Sequence, residues 1–410
     1  MDDKISENYT WNVIADFASK EGFVSHQIES INYFYSVGID NIIQETEVFI
    51  EQLGMRYTAK FKNSHLSSPC TIDDNRKVKI LYPSDAIKRD LNYDGSLYID
   101  IDEIFEVEGK VPEVNSYKRI EIAKIPIMLL SNKCNLTSLT PDERIKEGEC
   151  VRDKGAYFII KGNERTLIAQ IRGIHNYPLV FSQKSGDKYK YSCDVRSMSE
   201  ETGHSVSLQC KIGVDDRTII FSLPNIKDVI PVGIVFKALG FTEEKDIINI
   251  IGNKNEEVCK YLKYIIRDSY HIKTQSDALK YIGQRSLHII KDENREKYAL
   301  QIVEYELLPH MGITATIQEK TIYLGNMVNK LLNTYVGIRK EDDRDNYINK
   351  RVEAAGVLCN DLFRPIFKRY VKNIQLQLEK RKQRPDILSI ISRMTSITTG
   401  LKHSFATGQH

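Results

Sequence analysis

The stretch Gly155-Ala-Tyr-Phe-Ile-Ile-Lys-Gly-Asn-Glu-Arg-Thr-Leu-Ile-Ala-Gln170 has the residue pattern of a β-hairpin. Its first arm, Tyr157 to Ile160, is aromatic and β-branched, and its second arm, Arg165 to Ala169, is a short apolar run. Gly162-Asn163 can adopt the positive φ angles of a two-residue turn. The stretch therefore predicts two antiparallel strands joined by a tight turn at Gly162-Asn163.

Two cations of this hairpin, Lys161 and Arg165, would lie side by side near the turn. A ribbon fixes the spacing of such a pair while the long side chains adjust, so the pair suits a nucleic-acid phosphate backbone. An ordinary hairpin with solvated surface charges is the alternative interpretation.

A second basic region lies near the C-terminus of the sequence. The formal net charge of the 410 residues is only +2, but acidic residues prevail from Met1 to Lys60 and basic residues prevail from Arg364 to Lys402. The basic residues of interest are on the polar face of a predicted long helix and just after it: Lys368, Arg369, Lys372, Lys380 to Lys382, Arg384, Arg393 and Lys402. This region is a candidate phosphate-tracking surface, with a solvated helix face as the alternative.

The cysteines and the hydropathy of the sequence indicate in which cellular compartment the protein is expected. The seven cysteines are scattered and never form a Cys-x-x-Cys pair, which favours a reducing compartment over a disulfide framework or a zinc site. No apolar run approaches the roughly 18 residues that span a bilayer, and the acidic start is not followed by an apolar signal segment. We therefore expect an intracellular protein that is not in a membrane.

Periodicity predicts an α+β fold with two domains. Helical spacing between Trp11 and Gln44, broken at Gly22, indicates two packed helices, and several strands follow before the hairpin. After Ser182 the pattern changes to an alternating strand at 206–212, a partner strand at 217–223 and helices from 232 to 340. The charged run Glu341 to Asp345 then precedes a long helix that Pro365 would kink or break.

Two groups of aspartates are candidate metal ligands, although neither has a complete motif. Asp100 and Asp102 lie two residues apart on a predicted strand, so both carboxylates face the same side. Asp342, Asp343 and Asp345 lie close together, but Arg344 among them favours ion pairing or helix capping. For Asp100 and Asp102, a solvated strand face is the alternative interpretation. The sequence contains no phosphate-binding loop or nucleophile elbow, so we predict no catalytic residue and no metal ligand in this chain.

Several blocks of the sequence resemble blocks of the second-largest subunit of multisubunit DNA-directed RNA polymerases of the eukaryotic, archaeal and large-DNA-virus type. The blocks occur along this chain in the same order as in that family. They are the hairpin itself and the blocks Glu21 to Ser30, Ile125 to Leu130, Gly148 to Cys150, Tyr281 to Gly283, Leu308 to His310, Tyr323 to Gly325, Asp342 to Asp345, Asn349 to Arg351, Thr399 to Lys402 and Ala406 to Gly408. Each block alone is weak evidence, but their shared order covers nearly the whole chain.

The resemblance implies a specific domain arrangement. Residues 1–184 and 341–410 would form a mixed α/β protrusion, and residues 185–340 would form an inserted, largely helical lobe with a small antiparallel sheet. In that family both domains line one wall of the DNA cleft. By motif matching, Arg165 and Lys402 would lie near the template strand or the RNA–DNA hybrid, while Lys161 and Arg393 are candidates from charge alone.

The resemblance also implies the biochemical role. The chain would be the N-terminal portion of a polymerase subunit, part of a nucleotidyltransferase but not catalytic alone. Mg²⁺ would bind to the largest subunit and Zn²⁺ to a later segment of the second-largest subunit. The expected partners are the largest and smaller subunits, the DNA template and the RNA–DNA hybrid. The expected location is the nucleus or cytoplasm, or a virus factory or virion if the source is viral.

The sequence departs from the family at its end, where Gln409-His410 replace the Asn-Trp-Gly that usually follows Ala-Thr-Gly. This departure suggests a fragment, a split gene or an interrupted reading frame. A stand-alone nucleic-acid-binding or scaffold protein derived from a polymerase subunit is the alternative function. A metal-dependent nuclease using Asp342, Asp343 and Asp345 is a third, weaker hypothesis.

Overall fold

A computed structural model describes residues 7–20, 22–52, 55–72, 77–107, 111–183, 186–252, 255–288, 290–312, 314–380 and 386–408. The chain forms two compact units. Unit 1 comprises Met1–Ile171 and Val352–His410, and unit 2 comprises Arg172–Arg351. Helices and antiparallel sheets occur together, so the fold is α+β, as the sequence predicts.

The first part of the chain contains five helices and nine strands among the described residues. In chain order they are α1 (Glu7–Lys20), α2 (Ser25–Tyr33), a π-helical turn (Phe34–Gly38), α3 (Ile39–Gln44), β1 (Glu47–Gln52), β2 (Met55–Leu66), β3 (Cys70–Ile72), β4 (Val78–Ile80), α4 (Pro83–Lys88), β5 (Asp94–Val107), β6 (Glu113–Pro126), α5 (Pro141–Lys146), β7 (Phe158–Ile160), β8 (Asn163–Arg165) and β9 (Gln170–Gly173).

Unit 2 continues with a strand-rich part followed by helices. In order these are β10 (Leu179–Ser182), β11 (Tyr189–Met198), β12 (Ser205–Gly213), β13 (Ile219–Ser222), β14 (Ile230–Pro231), α6 (Val232–Ala238), α7 (Glu244–Ile251), α8 (Glu256–Ser269), α9 (Gln275–Gly283), a 3₁₀ turn (Asp292–Asn294), α10 (Arg295–Gln301), a π-helical turn (Ile302–Glu306), a 3₁₀ turn (Pro309–Met311), α11 (Ile317–Tyr335) and a 3₁₀ turn (Tyr347–Asn349).

The last part of the chain begins with two residues of unit 2 and belongs to unit 1 from Val352 onward. It contains β15 (Lys350–Glu353), α12 (Ala355–Glu379), α13 (Ile387–Ile391) and α14 (Ser396–Thr407). Pro365 lies inside α12, and the helix runs through it without interruption, so the predicted break is absent. The side chain of Pro365 faces solvent, where the lost backbone hydrogen bond is easier to tolerate than in the core.

The core of unit 1 forms between a four-stranded antiparallel sheet, in the order β1-β2-β5-β6, and α12. Leu97, Ile99 and Ile101 alternate along β5 and are fully buried, as period-two patterning requires. The ring of Phe367 on α12 packs edge-on against Phe61 of β2, with 5.9 Å between centroids. A helix from the return segment therefore completes the core of the first segment.

The predicted helices before β1 exist and are separated at Gly22, whose φ of +77° is left-handed. Their packing differs from the prediction. Between residues 9 and 20, every side chain of α1 except Ala18 is exposed, including the tryptophan at position 11. The apolar spacing therefore predicted the helix correctly, but the prediction that α1 packs against its neighbour was wrong.

Unit 2 combines a five-stranded antiparallel sheet, in the order β10-β11-β12-β13-β14, with helices α6 to α11. The alternating strand predicted at 206–212 is confirmed as β12, and Leu208, Cys210 and Ile212 point into the core. Its predicted partner is confirmed as β13. Thr274 caps α9 by accepting a hydrogen bond from the backbone N–H of Asp277.

The two compact units do not end at the residues where the family resemblance places its domains. They end after Ile171 and Arg351, whereas the resemblance implies domain boundaries after residues 184 and 340. The backbone N–H of Asp342 donates to the carbonyl of Val180, and the carboxylate of Asp342 accepts from the N–H of Val180. Strand β10 and the charged run at 341–345 therefore pack together within unit 2.

We predict that Gly356→Ala destabilises unit 1. A Cβ atom at Gly356 would lie 1.9 Å from the carbonyl oxygen of Ser30, so the backbones of α2 and α12 would have to separate. Overpacking of this kind costs about 1–3 kcal/mol. Hydrogen exchange of α12 amides measures the loss. Gly173→Ala is the matched control, because its Cβ would meet no atom within 4 Å. Equal protection of α12 in both variants would contradict this packing.

Candidate nucleic-acid interface

The predicted hairpin exists, but its turn lies one residue earlier than expected. Strands β7 and β8 pair with Ile160 opposite Asn163, so Lys161 and Gly162 are the two turn residues. Their φ angles are +49° and +71°, which is the left-handed pair of a type I′ turn. The side-chain amide of Asn163 donates to the carbonyl of Lys161 at 2.9 Å. Asparagine therefore supports the turn from the first position of the return strand.

The hairpin is held by the segment that precedes β5. The N–H of Gly162 donates to the carbonyl of Leu91 at 2.9 Å, and the N–H of Lys161 donates to the Oδ1 atom of Asn92 at 2.9 Å. The N–H of Tyr93 donates to the carbonyl of Ile159 at 3.0 Å. These bonds fix the turn against the body of unit 1, so the position of its cation is set by tertiary contacts.

At the base of the hairpin, the hydroxyl of Tyr157 donates to the Oδ2 atom of Asp153 at 2.6 Å. Burial, together with this bond to a carboxylate, raises the pKa of Tyr157 above its usual value. The phenol therefore stays protonated and acts as a structural donor.

The two hairpin cations do not lie side by side, so that prediction is wrong. Arg165 ends β8 opposite Phe158, whereas Lys161 lies in the turn beyond the last strand pair. The second strand also lies earlier than predicted, because β8 is Asn163–Arg165 and residues 166–169 of the predicted arm form no strand. Both side chains are exposed, and neither forms an ion pair with any residue that the structure describes. Each cation is thus available to an external anion.

Helix α14 packs directly on the hairpin. The rings of Phe158 and Phe405 meet edge to face, with centroids 4.7 Å apart and planes at 73°. Beside this contact lies a pocket of about 340 Å³, lined by Arg165, Thr166, Leu167, Ile168, Gln170, Phe405, Ala406, Thr407 and Gly408. We call it the hairpin groove. The structure therefore brings Arg165 and the end of α14 together.

Lys402 lies on the same helix but in a different environment. Its Nζ atom is 3.0 Å from the Oδ2 atom of Asp94, and the two side chains are 25% and 10% exposed. The contact lacks the alignment of a hydrogen bond, so it is an ionic contact. The sequence does not mark Asp94 as a partner of Lys402, because Tyr93-Asp94-Gly95 has the pattern of an ordinary turn. Only the approach of α14 makes it a partner.

The remaining cations of the return segment are mostly exposed. Arg393 lies in the turn between α13 and α14, and its side chain makes no ion pair within the described ranges. Lys368, Arg369 and Lys372 are exposed on α12, as the helical pattern predicts. The predicted basic run at 381–384 lies outside the described residues. Unit 1 therefore presents exposed cations from the hairpin, from α12 and from the turn before α14.

The aspartates that suggested a metal have other partners. Asp102 pairs with Lys62 at 2.5 Å, and Asp100 accepts from the N–H of Arg119 at 3.0 Å. Asp342 contacts Arg339 at 2.5 Å and Lys330 at 3.5 Å. Among the described residues, no three His, Cys, Asp or Glu side chains are placed to hold one metal ion. The geometry at both clusters is that of ion pairs and hydrogen bonds.

The pKa of Asp342 reflects this environment. Burial alone would raise it, but hydrogen bonds from Arg339 and from the N–H of Val180, with the charge of Lys330, hold it below its usual value. The ionised carboxylate therefore fastens the charged run to β10.

Comparison with known proteins connects these features to a family. A family model described as RNA polymerase beta subunit matches residues 22–400. The chain belongs to this family. The resemblance found in the sequence is thereby confirmed. The match to the RNA polymerase beta subunit family covers both units, from α2 to α14.

Three relatives illustrate the range of the family. The probable DNA-directed RNA polymerase II subunit RPB2 homologue of Invertebrate iridescent virus 6 is 34% identical across 99% of this chain. DNA-directed RNA polymerase II subunit 2 of Arabidopsis thaliana is 32% identical across 99%, and subunit Rpo2 of Sulfolobus acidocaldarius is 32% identical across 97%. The chain spans 39%, 37% and 35% of the lengths of these relatives.

The helices of the chain were also compared with the requirements for a membrane-spanning helix. None of the helices in the part of the chain that the structure describes has both the length and the apolar character needed to cross a bilayer.

We predict that Gly162→Ala loosens the hairpin more than a simple change of φ preference explains. An alanine in the left-handed region costs about 1–2 kcal/mol. Its Cβ would also lie 2.7 Å from the Oδ1 atom of Asp90 and 3.0 Å from the carbonyl of Ile87. Gly148→Ala is the control, since its φ is +79° and no atom lies within 4 Å. Hydrogen exchange of β7 and β8 should rise only in the first variant.

We also predict that Asp342 makes unit 2 sensitive to acid. The folded-state pKa lies below the unfolded value of 3.8, so the carboxylate stabilises the folded unit above that pH. This contribution is lost as the pH falls through the lowered pKa. In urea titrations of unit 2 at several pH values, Asp342→Asn should be less stable than wild type at neutral pH and approach it in acid. Asp343→Asn, in the exposed part of the run, is the control and should follow wild type throughout.

Proposed function

We propose that this chain is the N-terminal portion of the second-largest subunit of DNA-dependent RNA polymerase, and that it lines the DNA/RNA cleft during transcription. One observation carries the proposal: relatives named as polymerase subunits align with 97% to 99% of this chain. The same relatives come from a virus, a plant and an archaeon, so the similarity spans distant branches. The activity of the complete enzyme, nucleotidyl transfer, is proposed for the assembly and not for this chain alone.

We assign unit 1 to the protrusion and unit 2 to the lobe. The support is that one compact unit is formed from both ends of the described chain, with the other inserted between them. A four-stranded sheet with α12 in unit 1, and a five-stranded antiparallel sheet with six helices among the described residues of unit 2, fit a mixed protrusion and a largely helical lobe.

The chemical role that we propose is electrostatic. Exposed lysines and arginines on a rigid surface bind phosphates without reading bases, because phosphate contacts position nucleic acid while base contacts specify sequence. Arg165 is the leading candidate, since it is exposed beside the hairpin groove and unpaired among the described residues. Lys161 and Arg393 are further candidates, because both are exposed and form no ion pair among the described residues. Lys402, which motif matching also favours, is held by Asp94 and is considered separately below.

Catalysis is proposed to reside outside this chain. By analogy with the family, we place Mg²⁺ on the largest subunit and Zn²⁺ on a later segment of the second-largest subunit. The proposed partners are those subunits, the smaller subunits, the DNA template and the RNA–DNA hybrid. The proposed location is the nucleus or cytoplasm, or a virus factory or virion for a viral source.

Co-expression tests the assembly. The chain should be recovered in a stoichiometric complex with the largest polymerase subunit and the remainder of the second-largest subunit. A chain that stays monomeric beside these partners would instead support a stand-alone nucleic-acid-binding or scaffold protein.

We predict that Arg165→Ala in the assembled polymerase weakens template binding at low salt, with little change in sequence preference. Each lost phosphate contact should reduce the slope of log affinity against log salt by about 0.9 for duplex DNA. Lys146→Ala, which removes an exposed lysine of α5 outside the proposed surface, is the matched control. An unchanged slope in Arg165→Ala would remove this residue from the interface.

A further inference from the structure

The pair formed by Asp94 and Lys402 joins the sheet of unit 1 to α14. Asp94 begins β5, opposite Pro126 of β6, and its side chain is 10% exposed. Its Oδ2 atom is buried and accepts no aligned hydrogen bond, although the ammonium of Lys402 lies 3.0 Å away. The negative charge of Asp94 is therefore compensated mainly through space by Lys402.

Lys402 also lies close to the proposed nucleic-acid surface. It precedes Phe405 and Ala406 by three and four residues on α14, so the three share one face of the helix. Phe405 and Ala406 line the hairpin groove together with Arg165. The lysine is thus one helical turn from the groove, with its charge directed to a buried carboxylate.

The burial of Asp94 decides which partner Lys402 keeps. If the ammonium moved to an external phosphate, the carboxylate would remain buried without a countercharge, which is strongly unfavourable. A solvated contact between Lys402 and a phosphate would stabilise the complex by much less than this cost, because both charges are screened by water and salt. Lys402 should therefore remain with Asp94 when nucleic acid binds.

We propose that Asp94 masks Lys402, so that this lysine adds no net charge to the nucleic-acid surface unless the carboxylate is neutralised. The proposal rests on the proposed function of unit 1 as a phosphate-binding wall. Asp94 is then a positioning residue: it holds the lysine of α14 and limits the positive charge beside the hairpin groove. By neutralising Lys402, Asp94 would lower the affinity of non-specific binding to a template that must move through the cleft.

A double-mutant cycle in the assembled polymerase tests the mask, with the salt dependence of template binding as the readout. Asp94→Asn keeps the shape of the side chain but removes its charge, and it should increase the salt slope by about 0.9, the value of one new phosphate contact on duplex DNA. Lys402→Ala alone should leave the slope unchanged. Lys402→Ala should abolish the increase when combined with Asp94→Asn.

A second ion pair of unit 1 provides the matched control. Asp102 pairs with Lys62 at 2.5 Å on the sheet, so Asp102→Asn makes the same change of charge at another site. It should not alter the slope. Hydrogen exchange of α14 reports separately on folding, and a purely structural ion pair would change this exchange without changing the slope.

Two outcomes overturn the proposal. One is a slope in Lys402→Ala that falls by about 0.9, which would make Lys402 a direct phosphate contact. The other is an Asp94→Asn enzyme that folds with an unchanged slope. If Asp94→Asn does not fold, a salt slope that falls by about 0.9 in Lys402→Ala would still overturn the proposal. Failure of the proposed function looks different, because the wild-type assembly would then show no salt-dependent template binding and Arg165→Ala would have no effect.

Discussion

The edge-to-face contact of Phe158 with Phe405 joins two segments that are separated in sequence by the whole of unit 2. The hairpin has only three residues in each strand, which is too little to be stable alone in water. It therefore depends on tertiary contacts, namely this ring contact and the hydrogen bonds from the segment that precedes β5. The return segment also contributes α12, whose aromatic residues complete the core against the sheet. Unit 1 is therefore a non-local structure, and its proposed binding surface exists only when both segments have folded together.

Burial divides the basic residues of unit 1 into two classes. Arg165 and Lys161 are exposed and have no ion-pair partner among the described residues, so their charge is available to a phosphate. Lys402 faces a buried carboxylate, and Arg364 is similarly paired with Glu45 inside the fold. Counting cations along the chain treats all four alike. Their contributions to binding depend on whether water or a carboxylate surrounds the charge.

The electrostatic role that we propose fits a member of the RNA polymerase beta subunit family. The chain spans about two fifths of the length of the relatives that it matches. What its described residues offer is a rigid framework with cations at defined positions. Nucleic acid that must slide through an enzyme is better held by phosphate contacts than by base contacts, because the former are independent of sequence.

Local patterns in the sequence determined much of the secondary structure. Thr140 and Glu143 form a capping box at the start of α5, and β12 follows its alternating pattern, because caps and pleats depend on neighbours within a few residues. The exposed cations of α12 also follow from helical period alone. The family could be inferred as well, since ordered blocks of residues are a property of the sequence itself.

Three features were decided only by the tertiary structure. They are the residues of the hairpin turn, the packing of the charged run at 341–345 and the ion-pair partner of Lys402. Lys161 and Gly162 form the turn where Leu91 and Asn92 offer hydrogen-bond partners. Hydrogen bonds between Asp342 and Val180, which are distant in sequence, join the charged run to β10 within unit 2. Asp94 became the partner of Lys402 only when α14 packed on the sheet. Each outcome depends on a polar group finding a distant partner in the folded core, and no local residue pattern contains that information.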